Sequence, residues 1–205
     1  MKEQIIKEQI IETSLKHFLA DGIRSNTMQK LAAAMGISTK TMYKFFVDKE
    51  ALLEECLKIH YKGAGNELLD LIDGTANPIV SLWNIYSKTV ELDFGVNHAF
   101  YHDLNYYYPE LQDKIIKQYV SNTTTIITGI IKQGIEEGYF LSYLQPSVVM
   151  EVSAVLYASV TRYNSYEKSG LKPEDLFNHT TTIYLRGICT DKGLKVMNQL
   201  NELTN

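Results

Sequence analysis

Cysteine is nearly absent: the chain has two in 205 residues, Cys56 and Cys189, set 133 positions apart. That excludes a disulfide framework or a zinc knuckle, and both read as buried thiols in a reducing compartment. Proline is almost as scarce, with four residues, all in the last two thirds. No run approaches the ~18 apolar residues of a membrane span. Met1-Lys2-Glu3-Gln4 lacks the apolar stretch of a secretion signal. Neither sign of charge dominates, since 20 basic and 24 acidic side chains leave −4, so the chain as a whole is no obvious polyanion binder. Also missing are a Gly-x-x-x-x-Gly-Lys loop, a Gly-x-Ser-x-Gly elbow and a His-Glu-x-x-His helix. The expectation is a soluble cytoplasmic protein without a membrane partner, with no catalytic residues, no cofactor and no metal.

What is present reads as helix. Pro78, Pro109, Pro146 and Pro173 follow one another at intervals of 31, 37 and 27 residues, room for long helices between residues that suit a first turn and break an interior. From Pro109, Ile116, Val120, Thr123, Ile127 and Ile131 mark one helical face. The β-branched run Thr123–Ile127 pulls locally toward strand, but it has neither period two nor turn residues beside it. Val149, Val152, Leu156 and Tyr163 form the next stripe, and Phe177, Thr181, Tyr184 and Ile188 the last. The chain is expected to be all-α, with about nine helices: an amino-terminal three-helix domain over residues 1–50 and a larger helical domain over 51–205.

The first fifty residues carry the clearest punctuation. Ile6, Ile10, Ser14 and Phe18 mark a helix that stops at Asp21-Gly22. Thr27 sits where a cap belongs, and Met28, Leu31, Ala32 and Met35 follow at helical spacing until Gly36, a left-handed terminator. Ser38 caps a third helix through Phe45, with Ile37 and Met42 placed as a hydrophobic staple, and Asp48 caps a fourth. A helix, a short glycine turn and a helix make a helix-turn-helix by spacing alone. Between Gly22 and Val47 stand Arg24, Lys30, Lys40 and Lys44 with no acid, whereas residues 51–205 hold 12 basic and 18 acidic side chains. An acid-free basic patch on an otherwise acidic chain is what a phosphate backbone selects.

The register Ile10-Ile11-Glu12-Thr13-Ser14-Leu15, Asp21-Gly22-Ile23, Thr27-Met28-Gln29-Lys30-Leu31-Ala32, Met35-Gly36-Ile37-Ser38, Thr41-Met42-Tyr43-Lys44-Phe45-Phe46 and Lys49-Glu50-Ala51-Leu52 resembles the DNA-binding domain of TetR-family transcriptional regulators. The resemblance runs from residue 5 to about 57. It implies that Thr27 meets a phosphate at the start of helix two. It also implies that Ser38, Thr39, Lys40 and Thr41 lead the recognition helix into the major groove, where Lys40 can bond guanine O6 or N7. Tyr43 and Lys44 would brace on the backbone, and Lys49 would set a cation beside a phosphate. Three positions depart from the family pattern. Thr39 precedes Lys40, moving the cation one position later, Phe45 replaces a tyrosine or histidine, and His17 takes a usually apolar site.

Beyond residue 57 the resemblance is one of architecture. Aromatics fill eight of the 26 positions from Trp83 to Tyr108, and the resemblance makes this the region lining an effector pocket, with Trp83, Tyr86, Phe100, Tyr101 and Tyr106 the candidates. His98 and His102 stand i, i+4 with Asp103 adjacent, a spacing that can hold a metal, but no further cysteine or histidine cluster completes a site. The last long helices are apolar on more than one face, and a helix coated twice must bury twice. Met150, Ala154, Tyr157, Ala158, Thr180, Ile183, Tyr184 and Gly187 are the candidates for a four-helix interface in a homodimer. The expected function is a repressor that binds a palindromic double-stranded operator and is released by an unknown small-molecule effector. Gly63 and Gly65 of helix four would be the point where that helix bends. The rival is a TetR-like DNA-binding protein that acts through a structural partner without a ligand.

Overall fold

The computed structural model describes residues 2–72, 77–119, 121–161, 170–171 and 173–204. Helices α1 (Lys2–Asp21), α2 (Met28–Ala34), α3 (Thr39–Phe45) and α4 (Lys49–Ile72) open the chain. They are followed by α5 (Pro78–Phe94), α6 (His98–Tyr107), α7 (Pro109–Tyr119), α8 (Ser121–Glu136) and α9 (Pro146–Thr161). The last stretch is α10 (Pro173–Phe177), a π-helical turn (Asn178–Thr182), α11 (Ile183–Gly187) and α12 (Asp191–Thr204). The only extended pairing among the described residues is the isolated bridge Phe140–Cys189. These elements outnumber the nine expected, partly because the π turn divides the stretch that begins at Pro173. Each of the four prolines opens a helix, where its missing N–H is no loss.

The chain forms two compact units, whose segments alternate along the sequence. One holds Met1–Ala64 with Gly95–Val120, the other Gly65–Phe94 with Ser121–Asn205. This division differs from a cut at residue 50, because α6 and α7 complete the first core: Phe100, Leu104 and Ile115 are as fully buried there as Phe18, Met42 and Leu53. The change of unit falls within α4, between Ala64 and Gly65, inside the pair of glycines marked as its weak point.

The stripe expected to run on from Pro109 ends instead at Tyr119, and its two parts serve different cores. Leu111 and Ile115 belong to the first unit, Ile127 and Ile131 to the second. In α7 the buried line passes through Ile115, and Ile116 is only half-buried. The β-branched run Thr123–Ile127 is helical, since tertiary burial of Ile127 outweighs a weak local propensity. In α9 the inner face is Val149, Ser153 and Val160, while Val152 lies outside. Tyr163 lies outside the described residues.

Candidate nucleic-acid interface

The two short helices α2 and α3 are set by caps rather than by length. Thr27 has an extended backbone and its Oγ1 accepts from Lys30 N at 3.2 Å. Gly36, at φ +65, turns the chain after α2, and Ile37 N returns to Ala32 O at 3.0 Å. Ser38 then caps α3, accepting from Thr41 N at 3.0 Å while its hydroxyl meets Thr41 Oγ1 at 2.9 Å. Each such cap is worth about 1 kcal/mol to helices too short to persist alone. Met28, Leu31 and Ala32 of α2 and Met42 of α3 bury inward. Lys40, Tyr43 and Lys44 are left on the exposed side of α3, with Thr39 and Thr41 half-buried.

The cations of this region are not equally available. Lys40 is exposed and enters no ion pair among the described residues. Lys44 reaches back to Glu3 of α1 at 2.6 Å, and that ammonium holds the Glu3 carboxyl below its usual range. Lys30 donates to Ser25 O at 2.8 Å. Lys49 is half-buried: its Nζ donates to Ile23 O and lies 5.9 Å from the centre of the Phe18 ring. Burial, partly offset by the charge of Asp103, lowers the Lys49 pKa. In the free protein Lys49 therefore fastens the start of α4 to the α1–α2 corner, a task its sequence position did not announce.

A second group that sequence reasoning missed holds the same corner. The carboxylate of Asp103, on α6 and 7% exposed, accepts from Arg24 N at 2.7 Å. The Arg24 guanidinium donates to Tyr107 Oη at 2.6 Å and stands 4.5 Å from the centre of that ring. Asn97 caps both helices at once. Its Oδ1 accepts from Ala99 N at 2.9 Å, its own N–H donates to Leu19 O at 2.9 Å, and its Nδ2 donates to Ala20 O at 2.8 Å. The pairing of Arg24 with Asp103 spans 79 positions, so no local pattern could reveal it. The one signal in sequence was an acid beside His102, a spacing that can hold a metal but that no further ligand completes. Among the described residues no group of three His, Cys, Asp or Glu side chains could hold one.

Gly22 makes this approach possible. It sits at φ +83, and a Cβ built there would lie 2.9 Å from Ala99 Cβ and 3.2 Å from Asp103 Oδ2. Gly22→Ala is expected to combine left-handed backbone strain with crowding against α6, a loss of about 2 kcal/mol. Chemical denaturation should show it, and a midpoint equal to the parent protein's would refute the close approach.

The residues expected to line a pocket do not share one core. Trp83 and Tyr86 are buried in the second unit, Phe100 and Tyr101 in the first, and Tyr106 is 72% exposed. The reason is that α6 contributes to the first core, where Phe100 lies 5.8 Å from His60 of α4 and 5.1 Å from Tyr101. Of the interface candidates, Ala154, Ile183 and Gly187 are exposed and Ala158 and Thr180 half-buried, whereas Met150, Tyr157 and Tyr184 pack on their own unit's core. The apolar stripe left outside on α9 is Val148, Val152 and Val155. Its valines were hard to tell from core because the inner and outer faces are both β-branched.

A capped helix-turn-helix whose residues from Gly22 to Val47 carry no acid, followed by further helices, is the arrangement of a DNA-binding regulator. The family profile described as bacterial regulatory proteins, tetR family, matches residues 10–56, and over that segment the chain is one of this family. The HTH-type transcriptional repressor KstR2 of Mycobacterium tuberculosis is 25% identical over 149 residues, 69% of this chain and 72% of that protein. FadR from Bacillus subtilis, solved in complex with stearoyl-CoA, shares the fold with a TM-score of 0.70 at 19% identity, over 88% of this chain and 98% of that one. A TetR/AcrR-family regulator from Thermobifida fusca superposes with a TM-score of 0.71 at 18% identity, over 88% and 97%. These are regulators rather than enzymes. No described helix is long and apolar enough to cross a membrane.

Proposed function

We propose that the chain is a homodimeric repressor that binds a palindromic operator and releases it when a small-molecule effector binds. The observation that carries the DNA reading is the outer face of α3, where Lys40 and Tyr43 stand exposed on a helix fixed by the Ser38 cap. Residues 1–50 read DNA in this proposal, and residues 51–205 hold the effector and dimerise. Thr27, Tyr43, Lys44 and Lys49 serve the phosphates, while Ser38, Thr39, Lys40 and Thr41 face the bases. Lys44 and Lys49 must then exchange their protein partners, Glu3 and Ile23 O, for phosphate. Two-fold symmetry makes the operator a palindrome, with half-sites separated by the distance between recognition helices. The effector part draws on the repressor description of KstR2 and on the acyl-CoA held by FadR.

The test is selection of genomic fragments by the purified protein, followed by titration at several salt concentrations. Tyr43→Ala is expected to weaken binding to all sequences alike. Lys40→Ala should change which bases are selected, by about 1–3 kcal/mol at the affected position. An unchanged selected site and unchanged affinity for Lys40→Ala would remove α3 from the role of recognition helix. A protein that binds its operator but is released by no small molecule would instead fit the ligand-free, partner-directed alternative.

A further inference from the structure

The second unit has an apolar centre with one unanswered polar group. Tyr86 projects from α5 into a cluster that includes Leu82, Val90, Ile127, Phe177 and Leu185, and it is 5% exposed. Its hydroxyl has no hydrogen-bond partner, and among the described residues of this unit no other buried side-chain oxygen or nitrogen is left so. Folding normally avoids such a group, because the bonds it gave to water are lost and nothing replaces them.

The neighbouring hydroxyls do not answer it. Ser153 of α9, fully buried, is the polar side chain that bears most on the Tyr86 hydroxyl, but it lies outside hydrogen-bond geometry for it and gives its own proton to Val149 O at 2.8 Å. Tyr184 of α11 is the other polar group acting on Tyr86. Tyr157 Oη donates away from the centre, to Thr89 O at 3.3 Å. Burial pushes the Tyr86 phenol up to about 12, so it is a neutral donor at any physiological pH. The buried polar side chains of this unit are Ser81, Ser153, Thr181 and Thr182, with no lysine or arginine among those described. A carboxylate would find no countercharge there, whereas an uncharged carbonyl oxygen needs only a donor.

We propose that Tyr86 is the polar anchor of a ligand site inside the second unit, donating its hydroxyl proton to the neutral carbonyl oxygen of a ligand whose part beside that carbonyl is apolar. The apolar part lies against the edge-to-face pair of Trp83 and Phe177, whose ring centroids are 5.6 Å apart, and against Val90 and Leu185. The assignment rests on the effector reading above and adds the chemistry of the ligand: an ester, thioester or ketone, not a free acid.

Trp83, the chain's single tryptophan, lies one helical turn from Tyr86 and reports the site by its own fluorescence. The experiment titrates full-length protein and its Tyr86→Phe variant with stearoyl-CoA, with the carbonyl-free thioether S-octadecyl-CoA and with progesterone as a ketosteroid. The two carbonyl probes separate an acyl thioester from a ring ketone as the source. The carbonyl probe that binds is expected to perturb Trp83 emission and to lose about tenfold in affinity with Tyr86→Phe, the size of one neutral hydrogen bond. If that probe is stearoyl-CoA, the parent protein should bind it about tenfold more tightly than the thioether, a comparison that needs no variant. Without ligand, Tyr86→Phe should unfold at a temperature equal to the parent's or about 2–4 °C above it. A lower unfolding temperature with unchanged probe affinity would assign the hydroxyl to the fold or to a fixed water and overturn the proposal. So would failure of both carbonyl probes to bind a parent protein that still binds its operator. Failure to bind any DNA would strike the repressor reading instead.

Discussion

Replacing Asp103 by alanine is expected to destabilise the first unit by about 2–3 kcal/mol, the cost of removing a buried charged acceptor from its donor. The carboxylate is 7% exposed and bonds to Arg24 N at 2.7 Å. Its removal leaves that N–H without an acceptor and takes a counter-charge away from Lys49, which is already disfavoured by burial. For a chain of this length the loss corresponds to roughly 5–10 °C in unfolding temperature. Asp103→Asn keeps an acceptor and should lose about half as much. The same variants should weaken operator binding beyond the folded fraction, since Arg24 and Lys49 stand on the corner from which α2 and α4 start. Asp113 on α7 is exposed, and Asp113→Asn is the control, expected to leave both readouts unchanged. Thermal unfolding of Asp103→Ala at the parent's temperature would show that α6 does not hold the corner.

Placing two carboxylates on the outer face of the second unit is expected to abolish dimerisation without unfolding the chain. Val155 and Ile183 are 64% and 59% exposed, and Val148 and Val152 continue the patch along α9. Exposed apolar side chains grouped at i, i+4 and i+7 need a covering surface. In the double variant Val155→Asp, Ile183→Asp, a symmetric interface would bury four unpaired charges, two from each copy. Sedimentation should show a monomer at micromolar concentration, with the unfolding profile of the second unit little changed because neither residue contributes to its core. Operator affinity should fall at least ~100-fold, as each monomer keeps only one half-site. A dimer that persists in this variant would place the interface elsewhere on the molecule.

The amino-terminal elements were legible because their signals are local. Ser38 and Thr27 cap the helices their positions predicted, and Asp48 Oδ1 accepts from Ala51 N at 2.7 Å at the start of α4. Gly22 and Gly36 take the left-handed conformations that end α1 and follow α2. The all-α class followed in the same way from four widely spaced prolines and helical periodicity. Such features depend on a residue and its neighbours within four positions, and they survive without knowledge of the rest of the chain.

What only the tertiary structure decided is which apolar stripe meets which core and where each charge finds its partner. The aromatic stretch from Trp83 to Tyr108 reads as one region in sequence, yet it divides between two units because α5 and α6 join different cores. Val148 and Val149 are adjacent and chemically identical, and one is 53% exposed while the other is buried. Lys49 reads as a surface cation and is half-buried on Ile23 O, and Asp103 reads as an acid beside His102 and is the acceptor for Arg24 N. Periodicity tells that a helix has an apolar face. Which partner covers that face depends on chain closures of tens of residues, whose entropy and geometry no local pattern encodes.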